Sequence, residues 1–235
     1  MNEFLIPDWP APARVRALAT TVSAGNLAGH VGDDVAAVAS NRAALSRHLP
    51  EEPLWLNQVH GIRCVRAEAA VAGIEADAVT ARSPGKVCAV LTADCLPVLL
   101  CDAAGSVVAA AHAGWRGLAA GVLESTVAEM AVPGGQLLAW LGPAIGPSAF
   151  EVGDDVVAAF TADDTGAMAA FRARPNGKWH CDLYALARRR LKALGLTRIA
   201  GGGLCTYSDG ERFYSYRRDG NSNHSGRMAS LIWIV

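Results

Sequence analysis

The chain has 235 residues, 51% of them hydrophobic and 18% charged, and its 21 basic and 22 acidic side chains leave a formal net charge of −1. That composition can bury a sizeable core and excludes a disordered chain, while the balanced charge gives no electrostatic footing to a nucleic-acid or membrane-surface partner. No uncharged apolar run reaches the roughly 18 residues of a membrane span, and Met1-Asn2-Glu3-Phe4 lacks the basic-then-apolar opening of a secretory leader, so a cytoplasmic setting is expected.

Taken in chain order, Asp33 and Asp34 offer caps for a helix over residues 33–49, with Val35, Val38, Leu45 and Leu49 near one face. Short β-type runs follow at residues 54–59, 62–66, 87–92, 97–101 and 107–111. A second helix is predicted from about Arg116 to Met130, stopped by Pro133 and Gly134-Gly135. Residues 137–141 read as a strand ahead of the loop Gly142-Pro143-Ala144-Ile145-Gly146-Pro147. Asp182 caps a third helix with Leu183, Leu186, Leu191 and Leu194 on its apolar side and Gly195 at its end. On that helix, Arg188-Arg189-Arg190 with Lys192 reads as a solvated face. Gly201-Gly202-Gly203 matches neither a dinucleotide nor a P-loop pattern and reads as a tight turn. Residues 213–216 and 228–235 are predicted as final strands. Helices interspersed with β-runs predict one mixed-sheet α+β or α/β domain over residues 1–235, with no repeat or linker. Nothing in this pattern specifies an oligomeric state.

Three segments share a local plan, in which an apolar run leads to a potent ligand and then to a Gly or Pro break. They end in Val59-His60-Gly61, Asp94-Cys95-Leu96-Pro97 and Ala111-His112-Ala113-Gly114. Two imidazoles and a thiolate form a three-ligand set for Zn²⁺ that leaves a fourth position open, and the same set suits Cu²⁺. The spacing matches no short zinc motif, so two other readings stand beside it. The histidines could simply hydrogen-bond near turns while Cys95 packs as an inert thiol, or Cys95 could be a nucleophile with His112 as its base. The other cysteines (Cys64, Cys88, Cys101, Cys181 and Cys205) show no C-x-x-C spacing and read mostly as reduced thiols packed as small hydrophobes. Gly114-Trp115-Arg116-Gly117 marks a strand-to-helix turn whose amides, helix dipole and Arg116 favour an anion. The stretch from Phe213 to Gly220 places Arg217 and Arg218 among three aromatics, with Arg227 close behind, and arginine forks suit phosphate while rings stack on bases. His180 reads as structural, and His30, His48 and His224 have no chemical neighbours that argue for a role.

Together these motifs resemble the laccase-domain family, first called multicopper polyphenol oxidases and now regarded as purine nucleoside phosphorylases. The resemblance rests on Asn57-Gln58-Val59-His60-Gly61, Thr92-Ala93-Asp94-Cys95-Leu96-Pro97, His112-Ala113-Gly114-Trp115-Arg116-Gly117, Gly142-Pro143-Ala144-Ile145-Gly146, and the tail from Phe213 through Arg218 to Gly226-Arg227-Met228-Ala229. His30-Val31-Gly32-Asp33 with Asn41-Arg42 also looks like the family's entry into its first helix. The pattern departs at one point. Where the family has Thr-Thr-Arg and a Gly-rich loop, Thr20-Thr21 run straight into Val22-Ser23-Ala24-Gly25, without the Arg and with the loop shortened.

The resemblance implies a four-layer α/β/β/α arrangement with mixed sheets and a metal on His60, Cys95 and His112. It also implies phosphorolysis of adenosine, inosine, guanosine and methylthioadenosine, with adenosine deamination as a second activity. Arg116, Arg217, Arg218, Arg227 and Gln58 are then the candidate substrate and phosphate residues, and Asp94 is a general acid/base or an orienter of Cys95. Two other chemistries remain: a Cys95/His112 thiol hydrolase or amidase editing a peptidoglycan precursor, a role attached to some relatives, and a single-copper phenol oxidase. With six histidines in the chain, a trinuclear copper cluster is not supported. A non-enzymatic zinc-stabilised interaction domain would instead close the fourth coordination position.

Overall fold

The computed structural model describes residues 4–220 and 225–235; His224 and the first three residues lie outside them. In chain order the main elements are β1 (Phe4–Leu5), β2 (Val15–Thr20), α1 (Val35–Ser46), β3 (Cys64–Arg66), β4 (Ala78–Ala81), β5 (Cys88–Thr92), β6 (Leu96–Asp102), β7 (Val108–Ala113), α2 (Trp115–Ala120), α3 (Val122–Met130) and β8 (Leu137–Leu141). They continue with β9 (Glu151–Val152), α4 (Asp154–Thr161), β10 (Phe171–Ala173), β11 (Trp179–Cys181), α5 (Leu183–Ala193), β12 (Arg198–Gly201), α6 (Tyr216–Asp219) and β13 (Met228–Ile234).

A four-stranded antiparallel sheet has the order β1-β2-β13-β5, and a six-stranded mixed sheet has the order β12-β8-β6-β7-β4-β3. The period-2 alternation of side chains shows how these sheets stack. Along β7, Val108 and Ala110 face an apolar layer shared with Val90 and Ile232 of the first sheet, whereas Ala109, Ala111 and Ala113 face α2, α3 and α5 through Leu118, Leu123 and Leu191. Along β13, Ile232 and Ile234 point into the layer between the sheets, and Leu231 and Trp233 point the other way, toward Leu45 of α1. The order is therefore helix, sheet, sheet, helices, the expected four layers with mixed strand directions. Buried on both faces, β7 can run from Val108 to Ala111 as small apolar residues with no polar alternation before it reaches His112.

Local chemistry explains most element ends. Asp34 accepts a hydrogen bond from the Ala36 amide at the start of α1, and Asp182 accepts one from the Ala185 amide at the start of α5. Several expectations are corrected. The helix expected from Arg116 to Met130 is two helices, because Gly121 adopts a left-handed φ of 109° between them. Residues 54–59 are not a strand, since they make only isolated bridges from Leu54 to Cys88 and from Asn57 to Glu75. The strand expected at 213–216 is irregular chain leading into α6, where Ser215 caps the Arg218 amide. Val35, expected on the buried face of α1, is 76% exposed because it occupies the first helical position. The arginine cluster on α5 is also more than a solvated face, because Arg190 pairs with Glu124 on α3 and Arg188 donates to the carbonyls of Ile199 and Gly201.

Candidate metal centre

His112 lies within β7 and is 3% exposed. Its Nδ1 lies 2.7 Å from Oδ1 of Asp77, a fully buried carboxylate immediately ahead of β4. An ionised carboxylate only accepts, so Nδ1 carries a proton and Nε2 is the nitrogen turned toward Cys95 and the cavity.

Cys95 follows the bend at which the chain leaves β5 of the first sheet and enters β6 of the second. The bend needs Asp94 in the left-handed region, φ 81°, which Asp tolerates better than most residues. Its side chain holds the bend in place. Oδ1 accepts from the Thr206 hydroxyl at 2.6 Å, Oδ2 accepts from the Arg217 amide at 2.6 Å, and the Asp94 carbonyl accepts from the Ile145 amide at 2.9 Å.

His60 sits on an irregular loop, also with a left-handed φ of 61°. Asp77 accepts the amides of Val59, His60 and Gly61 at 3.2, 3.0 and 2.7 Å. The loop rests against Gly114 and Gly117 at the start of α2. A Cβ on Gly114 would lie 2.7 Å from Cδ2 of His60 and 3.0 Å from Sγ of Cys95, and a Cβ on Gly117 would lie 2.8 Å from the Gly61 carbonyl. The two glycines of the Gly-Trp-Arg-Gly run therefore admit the loop. The six residues of α2 make a helix of less than two turns, so attraction for an anion there comes mainly from the charge of Arg116.

The ligand atoms of His60, Cys95 and His112 all lie within 4.8 Å of one another, and Sγ of Cys95 is 3.7 Å from Nε2 of His60. Tetrahedral coordination at ordinary zinc bond lengths puts sulfur and nitrogen ligands about 3.6 Å apart. Donor set and spacing both fit a metal ion. Electrostatics agree. Burial alone would raise the Cys95 thiol, but the neighbouring His112 charge and hydrogen bonds from His112 and His60 bring it down to about 6. Burial alone would lower His112, but the Cys95 thiolate and the Asp77 carboxylate raise it to about 9.

The centre opens into a cavity of about 440 Å³. Ile145, Phe150, Leu183 and Trp115 supply apolar wall, Tyr216 a half-exposed ring, and Arg116, Arg217, Arg227 and His30 cationic or titratable groups. The Arg116 guanidinium stacks 4.4 Å from the Trp115 ring centroid, and that of Arg227 lies 5.7 Å from the Tyr216 ring centroid. Arg217 donates through both terminal nitrogens to the Glu151 carbonyl. Gln58 lines the cavity, yet its amide is matched at both ends to the Leu91 backbone, as an extra rung on β5. Arg218 is the candidate that is not brought in. Its guanidinium holds the carbonyls of Thr206, Tyr207 and Phe213 and pairs with Asp219.

Sequence reasoning missed Asp77, whose only local sign is a carboxylate just ahead of an apolar run. It also set His30 aside, although His30 lines the cavity, where burial and the charges of Arg227 and Arg42 lower its basicity.

A family model described as multi-copper polyphenol oxidoreductase laccase matches residues 16–235. A purine nucleoside phosphorylase of Pseudomonas aeruginosa is 54% identical, over 100% of this chain and 99% of that one. The purine nucleoside phosphorylase YfiH of Escherichia coli is 49% identical over 100% of both chains. Among solved structures, a Neisseria meningitidis protein superposes with a TM-score of 0.94 at 49% identity, covering 99% of each chain, and YlmD of Geobacillus stearothermophilus with 0.87 at 26%, covering 99% of this chain and 96% of that one.

Proposed function

Since the chain belongs to the multi-copper polyphenol oxidoreductase laccase family, in which its relatives carry the name purine nucleoside phosphorylase, we propose that it is a metal-dependent purine nucleoside phosphorylase. Its substrates are adenosine, inosine, guanosine and methylthioadenosine with inorganic phosphate, and adenosine deamination is a second activity. The observation that carries this reading is one cavity joining the His60–Cys95–His112 group to Arg116, Arg217 and Arg227 beside an apolar, aromatic wall. Its volume, about 440 Å³, lies in the range of small-molecule sites.

In phosphorolysis a phosphate oxygen forms a bond to the ribose C1′ while the C1′–N9 bond breaks and its electron pair passes to the purine. The attacking phosphate is an anion that must be held against C1′. Arg116 and Arg227, which line the cavity, would hold it, together with Arg217, whose guanidinium is tied to the Glu151 carbonyl. The purine stacks on the walls offered by Phe150, Tyr216 and Trp115. Both carboxylate oxygens of Asp94 are occupied by Thr206 and the Arg217 amide, which suits an orienting role better than proton transfer. His60, Cys95 and His112 would hold Zn²⁺, or alternatively Cu²⁺, and that ion would supply Lewis acidity at the cavity wall. Deamination needs water delivered to the purine C6, and the same cavity would place that carbon near the ligand group. The six free cysteines suit a reducing, cytoplasmic setting; among the described residues no helix is long and apolar enough to cross a membrane.

The test is purine release from inosine or adenosine that requires phosphate, assayed with metal analysis of the same protein. Cys95→Ala should lose both bound metal and turnover. Full phosphorolysis by metal-free Cys95→Ala would sink the reading.

One arrangement favours a second reading. Cys95, His112 and Asp77 also form a thiol–imidazole–carboxylate row, with the His112–Asp77 contact at 2.7 Å, as in thiol hydrolases that cleave amides. Covalent labelling of Cys95 by an electrophile at a rate indifferent to chelator, with amide hydrolysis surviving metal removal, would favour it.

A further inference from the structure

We propose that Asp77 is the positioning residue for both histidine arms of the centre, fixing the ring of His112 directly and the place of His60 through the backbone around it. The inference rests on the metal-centre reading and adds to it a residue outside the donor set.

Asp77 is fully buried, and its two oxygens accept four hydrogen bonds. Oδ1 takes the His112 Nδ1 proton at 2.7 Å and the His60 amide at 3.0 Å, while Oδ2 takes the amides of Gly61 at 2.7 Å and Val59 at 3.2 Å. A carboxylate offers about four lone-pair positions, so all are used. Three successive amides converging on one anion form a backbone nest, and the left-handed φ of 61° at His60 is what turns them inward. The backbone of Asp77 joins the same junction, because its carbonyl accepts the His112 amide at 2.7 Å and its amide donates to the Arg63 carbonyl at 3.0 Å. One residue thus ties a ligand on a rigid strand to a ligand on a loop. Without the anion, His60 loses the contact that holds a conformation few non-glycine residues adopt.

Asp77→Asn preserves shape but sets an NH₂ group against amide or imidazole donors. Outer partners of metal-binding histidines are typically worth about 10–100-fold in metal affinity. Zinc affinity of the full chain, measured by competition with a chromophoric chelator, should fall by that factor in Asp77→Asn, while the metal-free variant keeps its circular dichroism and cooperative melting. A second measurement on the unmodified, zinc-loaded protein guards against a variant that does not fold. Nitrogen-15 spectra of the imidazoles should show His112 protonated at Nδ1 and ligated through Nε2. Wild-type zinc affinity in a folded Asp77→Asn, or ligation of His112 through Nδ1, overturns the role of Asp77. An unmodified protein that takes up no zinc overturns the metal centre itself, and this role with it.

Discussion

Cys95 differs from the four strand cysteines in its electrostatic surroundings. Burial pushes Cys64, Cys101 and Cys181 up to about 12 and Cys88 well above the ordinary thiol range, whereas Cys95 is held at about 6 by its two imidazoles. The sign gives a direct check. In metal-free protein the thiolate should be populated above pH 6, so its ultraviolet absorbance should rise through that region. In His112→Ala the same rise should move upward, toward the ordinary thiol range. Titration of Cys95 in the ordinary thiol range in unmodified protein would contradict the site electrostatics. Gly117 offers a second check. Alanine in a helix is ordinarily worth about 0.5–1 kcal/mol over glycine, but a Cβ here meets the Gly61 carbonyl at 2.8 Å. Gly117→Ala should therefore lower both melting temperature and zinc affinity. The three ligands were legible because His and Cys at chain breaks are chemically conspicuous. Asp77 was not, because it stands 17 residues from His60 and 35 from His112, and a carboxylate ahead of a strand looks like any polar strand end.

Elements with their own start and stop chemistry were legible. The helix capped by Asp182 and the strand at residues 137–141 follow from local side chains alone. The break at Gly121 was hidden because the apolar pattern continues through it, with Leu118, Val122 and Leu123 all buried. The bend between β5 and β6 was equally hidden, since its partners Thr206 and the Arg217 amide lie 112 and 123 residues away. Asp94→Ala removes both contacts and leaves a β-carbon in left-handed backbone without the local side-chain bonds that favour Asp there. A loss of about 2–3 kcal/mol is expected, which for a chain of this size lowers the melting temperature by roughly 4–12 °C. An unchanged melting curve would show that the bend does not depend on Asp94.

For the molecule as a whole, the succession of helices and β-runs indicated a mixed-sheet α+β or α/β domain, but the layering came from resemblance and could not come from pattern. The pairing of β13 with the edge strand β5 of the first sheet joins Thr92 to Met228, and no local periodicity encodes a contact of that span. The layer between the sheets depends on side chains such as Leu99, which is fully buried. Leu99→Ala should cost about 2–5 kcal/mol. It should leave zinc stoichiometry unchanged, measured by denaturant melts and metal analysis, because the ligands are fixed by Asp77, Asp94 and the glycines rather than by that layer.

The bend at residues 93–95 is where the chain passes from one sheet to the other, and Cys95 lies on it while His112 is anchored in the second sheet. An ion held by these residues would act as a rivet across the seam, because the folded chain gathers ligands that the unfolded chain leaves apart. At free zinc about 100 times the dissociation constant, mass action alone adds about 2.7 kcal/mol to stability. Melting temperature should then climb with zinc concentration in the unmodified protein and stay flat in Cys95→Ala. In a cell, such a protein would persist when the ion is plentiful and be cleared when it is scarce, so its abundance would follow metal supply without any change in its synthesis.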